Sequence, residues 1–345
     1  MKRKFTHYLT ILRYFCIRYF DMVKDRINKL ASLNPNDYNY LLEPLRKCTI
    51  CPRKCGANRF SEKLGYCKSD TSLFISSICV HHGEEPPISG EQGICNVFFG
   101  HCNLQCIYCQ NHQISDNSEY DAARRWELKD VLEKIIRCLD SGCKGLSFVS
   151  PSHFVPQMKI IIYALRDLGY YPTIVYNTNA YDNVEILKEI EPLVDVYLPD
   201  FKYCDPNLGK DFSDVPDYPE AAKAALKEMY RQKGSSLITN GENLAEHGIL
   251  IRHLVLPGYI ENSLNVLRFI ANEISTSVHI SLMSQYHPAF LAIDLPPLNR
   301  SLLNEEYFKV VDEFHRLGFR NGYIQELESY ENYRPDFEKD HPFEA

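Results

Sequence analysis

Between residues 91 and 290, short apolar runs alternate with amphipathic helical patterns, and this alternation constrains the fold more than any other feature. The runs Ile94–Phe99, Gly145–Val149, Pro172–Tyr176, Val194–Leu198, Ile249–Leu256 and Val278–Gln285 have the length and apolar content of buried strands. Helical periodicity lies between them, near Glu127–Leu139, Val155–Leu168, Val184–Ile190, Glu220–Gln232 and Ser263–Ile274. Strands separated by helices of about ten or more residues require crossover connections, and hence a mostly parallel sheet. Six such units predict an α/β fold, an incomplete (β/α)6 barrel, with chemistry at the carboxyl ends of its strands.

Two flanking regions complete the chain of 345 residues. Residues 1–90 form a cysteine-rich N-terminal extension that ends in the turn-rich stretch Glu84-Glu85-Pro86-Pro87-Ile88-Ser89-Gly90. Residues 291–345 hold a helix from about Asn304 to Leu317. An acidic, aromatic tail from Glu326 to Phe343 follows, expected to pack as an extension, over the barrel mouth or against a partner.

The net charge of −7 argues against a nucleic-acid partner, because phosphate backbones select basic surfaces. In the first thirty residues, Arg13, Arg18 and Asp21 break every apolar run well short of the ~20 residues a membrane span needs. No small-residue cleavage site follows an apolar core. No transmembrane span or secretory signal is therefore expected, and this segment is read as a docking helix.

Thirteen cysteines are unusual in a chain too long to need disulfide staples, and most crowd between Cys48 and Cys143. Spacings of two and three residues point to metal ligation in a reducing cytoplasm rather than to a disulfide framework. Cys102, Cys106 and Cys109 follow the first candidate strand as C-x3-C-x2-C. Thiolates are soft ligands that select zinc or iron–sulfur clusters. A zinc knuckle would need a fourth ligand, for which His101 and His112 are near enough. A [4Fe–4S] cube held by three thiolates instead keeps one iron open to a substrate.

A second set, Cys48, Cys51, Cys55 and Cys67, can close a coordination sphere around zinc or a second [4Fe–4S] cluster. The nearby Arg53, Lys54, Arg59, Lys63 and Lys68 would offset thiolate charge. Cys79 and Cys95 are alternative ligands. Cys16, Cys138, Cys143 and Cys204 are read as small core hydrophobes.

The C-x3-C-x2-C triplet resembles the signature of the radical S-adenosylmethionine (SAM) superfamily. The segments Cys48–Cys67, His82–Gly90, Cys102–Asn111, Tyr176–Tyr181, Tyr197–Tyr203, Ile251–Gly258 and Met283–Pro288 resemble, in order, the proteins related to pyruvate formate-lyase activating enzyme. That resemblance implies a [4Fe–4S] cluster whose open iron chelates SAM. Reductive cleavage of SAM would then give a 5′-deoxyadenosyl radical that abstracts hydrogen, as in glycyl-radical activation. It also implies an electron donor such as flavodoxin or ferredoxin, and SAM contacts from Asn177, Asp200, Lys202, Arg252 and His287.

Departures from the family pattern stand beside the matches. Ser150-Pro151-Ser152-His153 replaces the family's Gly-Gly-Glu stretch, with His153 either facing the cavity or an ordinary loop histidine. Asn177 stands where aspartate is usual. Ala180 replaces a glycine, which predicts an ordinary negative φ there. Asp200 and Lys202, two apart on an extended segment, are expected to point to one side. Arg252 inside an apolar run needs a partner if buried. Two other readings use the same cysteines: a radical SAM enzyme acting on a small molecule or peptide, and a non-catalytic iron–sulfur or zinc protein.

Overall fold

A computed structural model of the protein describes residues 25–26, 28–118, 124–327, 334–339 and 341–343. The expected docking helix at the N-terminus therefore lies almost wholly outside the described residues, as does Cys16.

The expected parallel sheet forms. Its strands are β1 (Leu73–His81), β2 (Ile94–Phe99), β3 (Arg125–Trp126), β4 (Gly145–Val149), β5 (Thr173–Thr178), β6 (Val196–Pro199), β7 (Ile238–Thr239), β8 (Ala245–Leu254), β9 (His279–Met283) and β10 (Gly322–Ile324). They order as β10-β9-β8-β6-β5-β4-β2-β1-β3, with β7 antiparallel to β8 off this path. From β2 through β10 all neighbours are parallel. The order never returns to its start, so the barrel is incomplete.

Helices α1 (Leu128–Asp140), α2 (Val155–Asp167), α3 (Val184–Ile190), α4 (Pro206–Ser213), α5 (Tyr218–Lys233) and α6 (Ile260–Phe269) supply the crossovers. Local sequence explains several of their starts. Asn183 and Asp205 cap α3 and α4, their side chains accepting the N–H two residues on, and Pro206 opens α4 where its missing N–H costs nothing. The final helix α7 (Asn304–Arg316) packs on α6. Central strands are buried on both faces, as β2 and β6 show, because helices cover one side and the barrel interior the other.

The sheet crosses both limits at residues 90 and 291. β1 pairs antiparallel with β2, so the N-terminal extension contributes a strand of its own, and β10 adds an edge strand from the C-terminal region. β1 carries two short apolar runs split by Ser76 and Ser77, and it lies inside the sheet, paired with both β2 and β3. Upstream, the 3-10 stretch Pro35–Lys47 packs on α2, where Tyr38 donates to Asp167 at 2.6 Å.

Candidate functional site

One cavity of about 390 Å³ collects the carboxyl ends of the parallel strands. Its wall includes Phe98 and Phe99 from β2, Val149 from β4, Asn177 and Thr178 from β5, Asp200 after β6, Arg252 and Leu254 from β8, Met283 from β9 and Tyr323 from β10. Residues this far apart along the sheet can share one wall only if the sheet curves around it. Cys102, Cys106 and Cys109 enter from the loop between β2 and the short helix His112–Ser115.

Each of these three thiols has a polar group from another part of the chain against it. Asn179 Nδ2 lies 3.5 Å from Cys102 Sγ, Ser213 Oγ 3.0 Å from Cys106 Sγ, and Ser115 Oγ 3.2 Å from Cys109 Sγ. Behind Ser213 runs a buried hydroxyl chain: Tyr203 sits 2.9 Å from Ser213, and Tyr108 sits 2.5 Å from Tyr203. Burial pushes the Cys102 thiol up to about 12 and the Cys106 thiol up to about 11, and it raises Cys109 as well. A cluster or cation would take these thiols as thiolates, with release of their protons.

The expected same-side pair forms. Lys202 Nζ donates to Asp200 Oδ2 at 2.9 Å, and both line the cavity. Burial opposes the lysine's charge, but Asp200 outweighs it, so Lys202 stays cationic. Asn177 lines the cavity too.

Arg252 reaches the cavity wall, where it is committed to two carboxylates that no sequence argument singled out. Its Nε donates to Glu85 Oε1 at 2.9 Å, and its terminal nitrogen meets Glu85 and Glu84. All three side chains are nearly buried. Burial disfavours the Glu84 carboxylate, but Arg252 more than offsets it, holding this carboxyl down to about 2. The available signal was two adjacent acids before Pro86-Pro87 in a segment already singled out, with Arg252 needing a partner.

His287 and His153 do not face the cavity. His287 Nδ1 lies 3.3 Å from Gln110 Nε2, outside the lining residues. His153 is buried behind the wall, with Nε2 3.3 Å from the Gly100 carbonyl and its ring against Phe154. Burial pulls its pKa well down, so it is neutral.

The expectation for Ala180 is corrected: its φ is +62°. The turn is over-determined from both sides. Ala180 N–H donates to Thr178 Oγ1 at 3.2 Å and Tyr181 N–H to Asn179 Oδ1 at 3.0 Å, while Asn179 Nδ2 holds Asn103 Oδ1 at 2.8 Å. The same left-handed backbone occurs at His101 after β2 and Ser150 after β4. Such residues cost about 1–2 kcal/mol each and persist where the surroundings fix them.

The second cysteine set forms a tight knuckle beside this loop. Cys48 N–H donates to Ala57 O and Gly56 N–H to Cys48 O, both at 2.9 Å, while the thiols of Cys48 and Cys51 each feel Cys55 and Cys67. A Cβ on Gly65 would stand 2.6 Å from Cys55 Sγ, so glycine lets the two arms of the knuckle meet. Burial pushes the Cys51 thiol up to about 12. Of the flanking cations, Arg59 is turned inward, donating to the Asp70 and His153 carbonyls.

Cys79 and Cys95 are not part of the knuckle. They lie on β1 and β2, where Cys95 hydrogen-bonds Cys138. Among the described residues, no three His, Cys, Asp or Glu side chains converge closely enough to share one metal ion. The possible fourth ligands beside the triplet are also turned to other contacts. His101 stacks on Phe74 with Nδ1 3.4 Å from Ser69 Oγ, and His112 stacks on Phe290 with Nδ1 3.2 Å from the Cys109 carbonyl.

Part of the tail covers the cavity: Pro335 and Phe343 line it, and Phe343 packs against His81 and Phe98. Among the described residues, no helix is long and apolar enough to cross a membrane.

The radical SAM superfamily matches residues 96–270, just over half of the chain, and the chain belongs to it. Membership implies a [4Fe–4S] cluster, SAM and SAM-dependent radical chemistry. Among curated relatives, the Methanocaldococcus jannaschii uncharacterized protein MJ0674 is 29% identical over 83% of this chain and 80% of its own. A second protein of that organism, uncharacterized protein MJ0808, is 24% identical over 77% of this chain and 80% of its own. Among solved structures, Streptococcus suis SuiB bound to S-adenosylmethionine superposes with a TM-score of 0.42 at 14% identity, over 68% of this chain and 50% of SuiB. Native anSMEcpe with bound AdoMet gives 0.44 at 14% identity, over 69% and 62% of the two chains. The chain thus spans about half the length of SuiB.

Proposed function

We propose that the protein reductively cleaves SAM at a [4Fe–4S] cluster held by Cys102, Cys106 and Cys109, and that the radical product abstracts hydrogen from a substrate. One observation carries the reading: three thiols from one loop open onto a strand-end cavity beside the Lys202–Asp200 pair. When bound, the cluster supplies one electron to the sulfur–carbon bond of SAM and leaves methionine and a 5′-deoxyadenosyl radical.

The chain's own residues do the rest. Lys202, kept cationic beside the thiols, offers a point charge to the SAM carboxylate, and Asp200 fixes its orientation. Asn177, on the same wall, is placed for a polar contact with SAM. Arg252, on the strand segment paired with Asp200, holds Glu84 and Glu85, so its part in binding is indirect, through the carboxylates it orients. The tail and the apolar groups Phe98, Leu254 and Met283 keep water from the radical.

The resemblance of the ordered segments to activating enzymes extends this reading to a glycine Cα of a partner protein as hydrogen donor. Anaerobically reconstituted protein, given dithionite and SAM, is expected to release 5′-deoxyadenosine, measured by chromatography. Product from Cys106→Ala equal to that from wild type would overturn the proposal.

A further inference from the structure

Cys102, Cys106 and Cys109 are half-buried in the cavity wall, and an electron for a cluster held there must come from a donor outside. The four-cysteine knuckle stands where that electron would enter. Cys55 is exposed, whereas Cys48, Cys51 and Cys67 are buried. Two side chains tie this knuckle to the first loop, and both ties end at Cys102 or its neighbour. Asn117 Oδ1 accepts the Cys102 N–H at 3.0 Å, and its Nδ2 donates both to the Cys102 carbonyl at 2.9 Å and to the Tyr66 carbonyl at 3.1 Å, next to Cys67. Arg53, between Cys51 and Cys55, donates Nε to the Asn103 carbonyl at 2.7 Å and lies over the Tyr66 ring. A site meant only to staple a loop needs no such stitching to the other thiols.

The rim carries a second signal. Residues 46 to 68 hold seven cations and one anion, Glu62, in a chain whose net charge is −7. Lys47, Lys54, Lys63 and Lys68 are exposed around the knuckle, and Phe60 adds an exposed ring. A local basic patch on an acidic protein selects and steers an acidic partner.

We infer that the knuckle of Cys48, Cys51, Cys55 and Cys67 holds a second, redox-active iron–sulfur cluster. Its basic rim docks an acidic one-electron carrier protein, and from there the electron passes to the cluster at Cys102, Cys106 and Cys109. The inference rests on the SAM-cleaving reading above. The step moves one electron: the carrier is oxidised, the second cluster is reduced and then reoxidised by the first, and no atom is transferred.

The experiment uses the full reconstituted chain and two reductants, dithionite and a reduced acidic ferredoxin. Wild type should bind about eight iron atoms per chain, and Cys51→Ala/Cys55→Ala about four, with the SAM-responsive electron paramagnetic resonance signal of the first cluster retained. The triple variant Lys47→Glu/Lys54→Glu/Lys63→Glu leaves every cysteine in place. It should form 5′-deoxyadenosine at least about tenfold more slowly with ferredoxin, and within about twofold of wild type with dithionite. Zinc in the knuckle, about four iron atoms in wild type, or a triple variant as fast as wild type with ferredoxin would overturn the inference. Each of those results leaves the SAM-cleaving reading standing. Wild type that makes no 5′-deoxyadenosine even with dithionite removes that reading instead.

Discussion

The two cysteine regions are built on opposite plans. The triplet at Cys102, Cys106 and Cys109 lines the strand-end cavity, and each thiol meets a polar side chain, two of them brought from distant parts of the chain. The knuckle at Cys48, Cys51, Cys55 and Cys67 is closed mainly by its own backbone and reaches the surface at Cys55. The contrast teaches that ligand count alone does not define a site. Three thiols open onto a cavity beside a fixed charge, and four are gathered where the chain folds back on itself.

Each region also contains a buried arginine, and these offer the sharpest way to break the comparison. Arg252 faces two carboxylates, while Arg59 donates to carbonyls and lies over the Phe154 ring. Arg252→Met strands two buried acids and should cost about 3–5 kcal/mol, whereas Arg59→Met strands carbonyls and should cost about 1–3 kcal/mol. Denaturant unfolding measures both. Equal losses would mean that the two regions are not held differently.

Acid should separate the regions next. Arg252 holds Glu84 well below its usual value of 4.5, at about 2. A lowered carboxyl stabilises the fold above the unfolded value and loses that contribution as pH falls through the folded value. The stability of wild type should therefore fall between about pH 4.5 and 2, by on the order of a few kcal/mol, and Glu84→Gln should flatten that fall. The carbonyl contacts of Arg59 do not titrate there, so spectroscopic probes of the knuckle should follow the change only through global unfolding.

The smallest effect concerns the donors. Ser213→Ala removes the hydroxyl 3.0 Å from Cys106 Sγ. Donors to cluster sulfur favour the more negative reduced state, so the potential of the first cluster should fall by about 40 mV, one hydrogen bond of about 1 kcal/mol carried by one electron. A redox titration followed by electron paramagnetic resonance reads it. An unchanged potential would show that the serine only fills space.

Much of this organisation is legible in the residues themselves. Apolar runs bounded by turns place β2, β4 and α3 at their observed limits, and the i to i+2 rule pairs Asp200 with Lys202. Other features leave no local trace. Ser213 is an unremarkable helix-end serine until folding brings it across 107 positions to Cys106. Glu84 and Glu85 read as turn residues because nothing nearby in sequence announces Arg252, 167 and 168 positions away. β1 escaped notice because its apolar run lies among cysteines, where ligand spacing draws the eye before strand pattern does. The φ at Ala180 reversed expectation because tertiary contacts at both of its neighbours outweigh the intrinsic penalty.

That turn has a wider consequence. With His101, Ser150 and Ala180 all left-handed, the ends of β2, β4 and β5 present a rim already committed to one shape. A rim of that kind needs little rearrangement when an adenosyl group arrives. Preorganisation of this sort favours fast, repeated docking of a cosubstrate that is consumed each turnover.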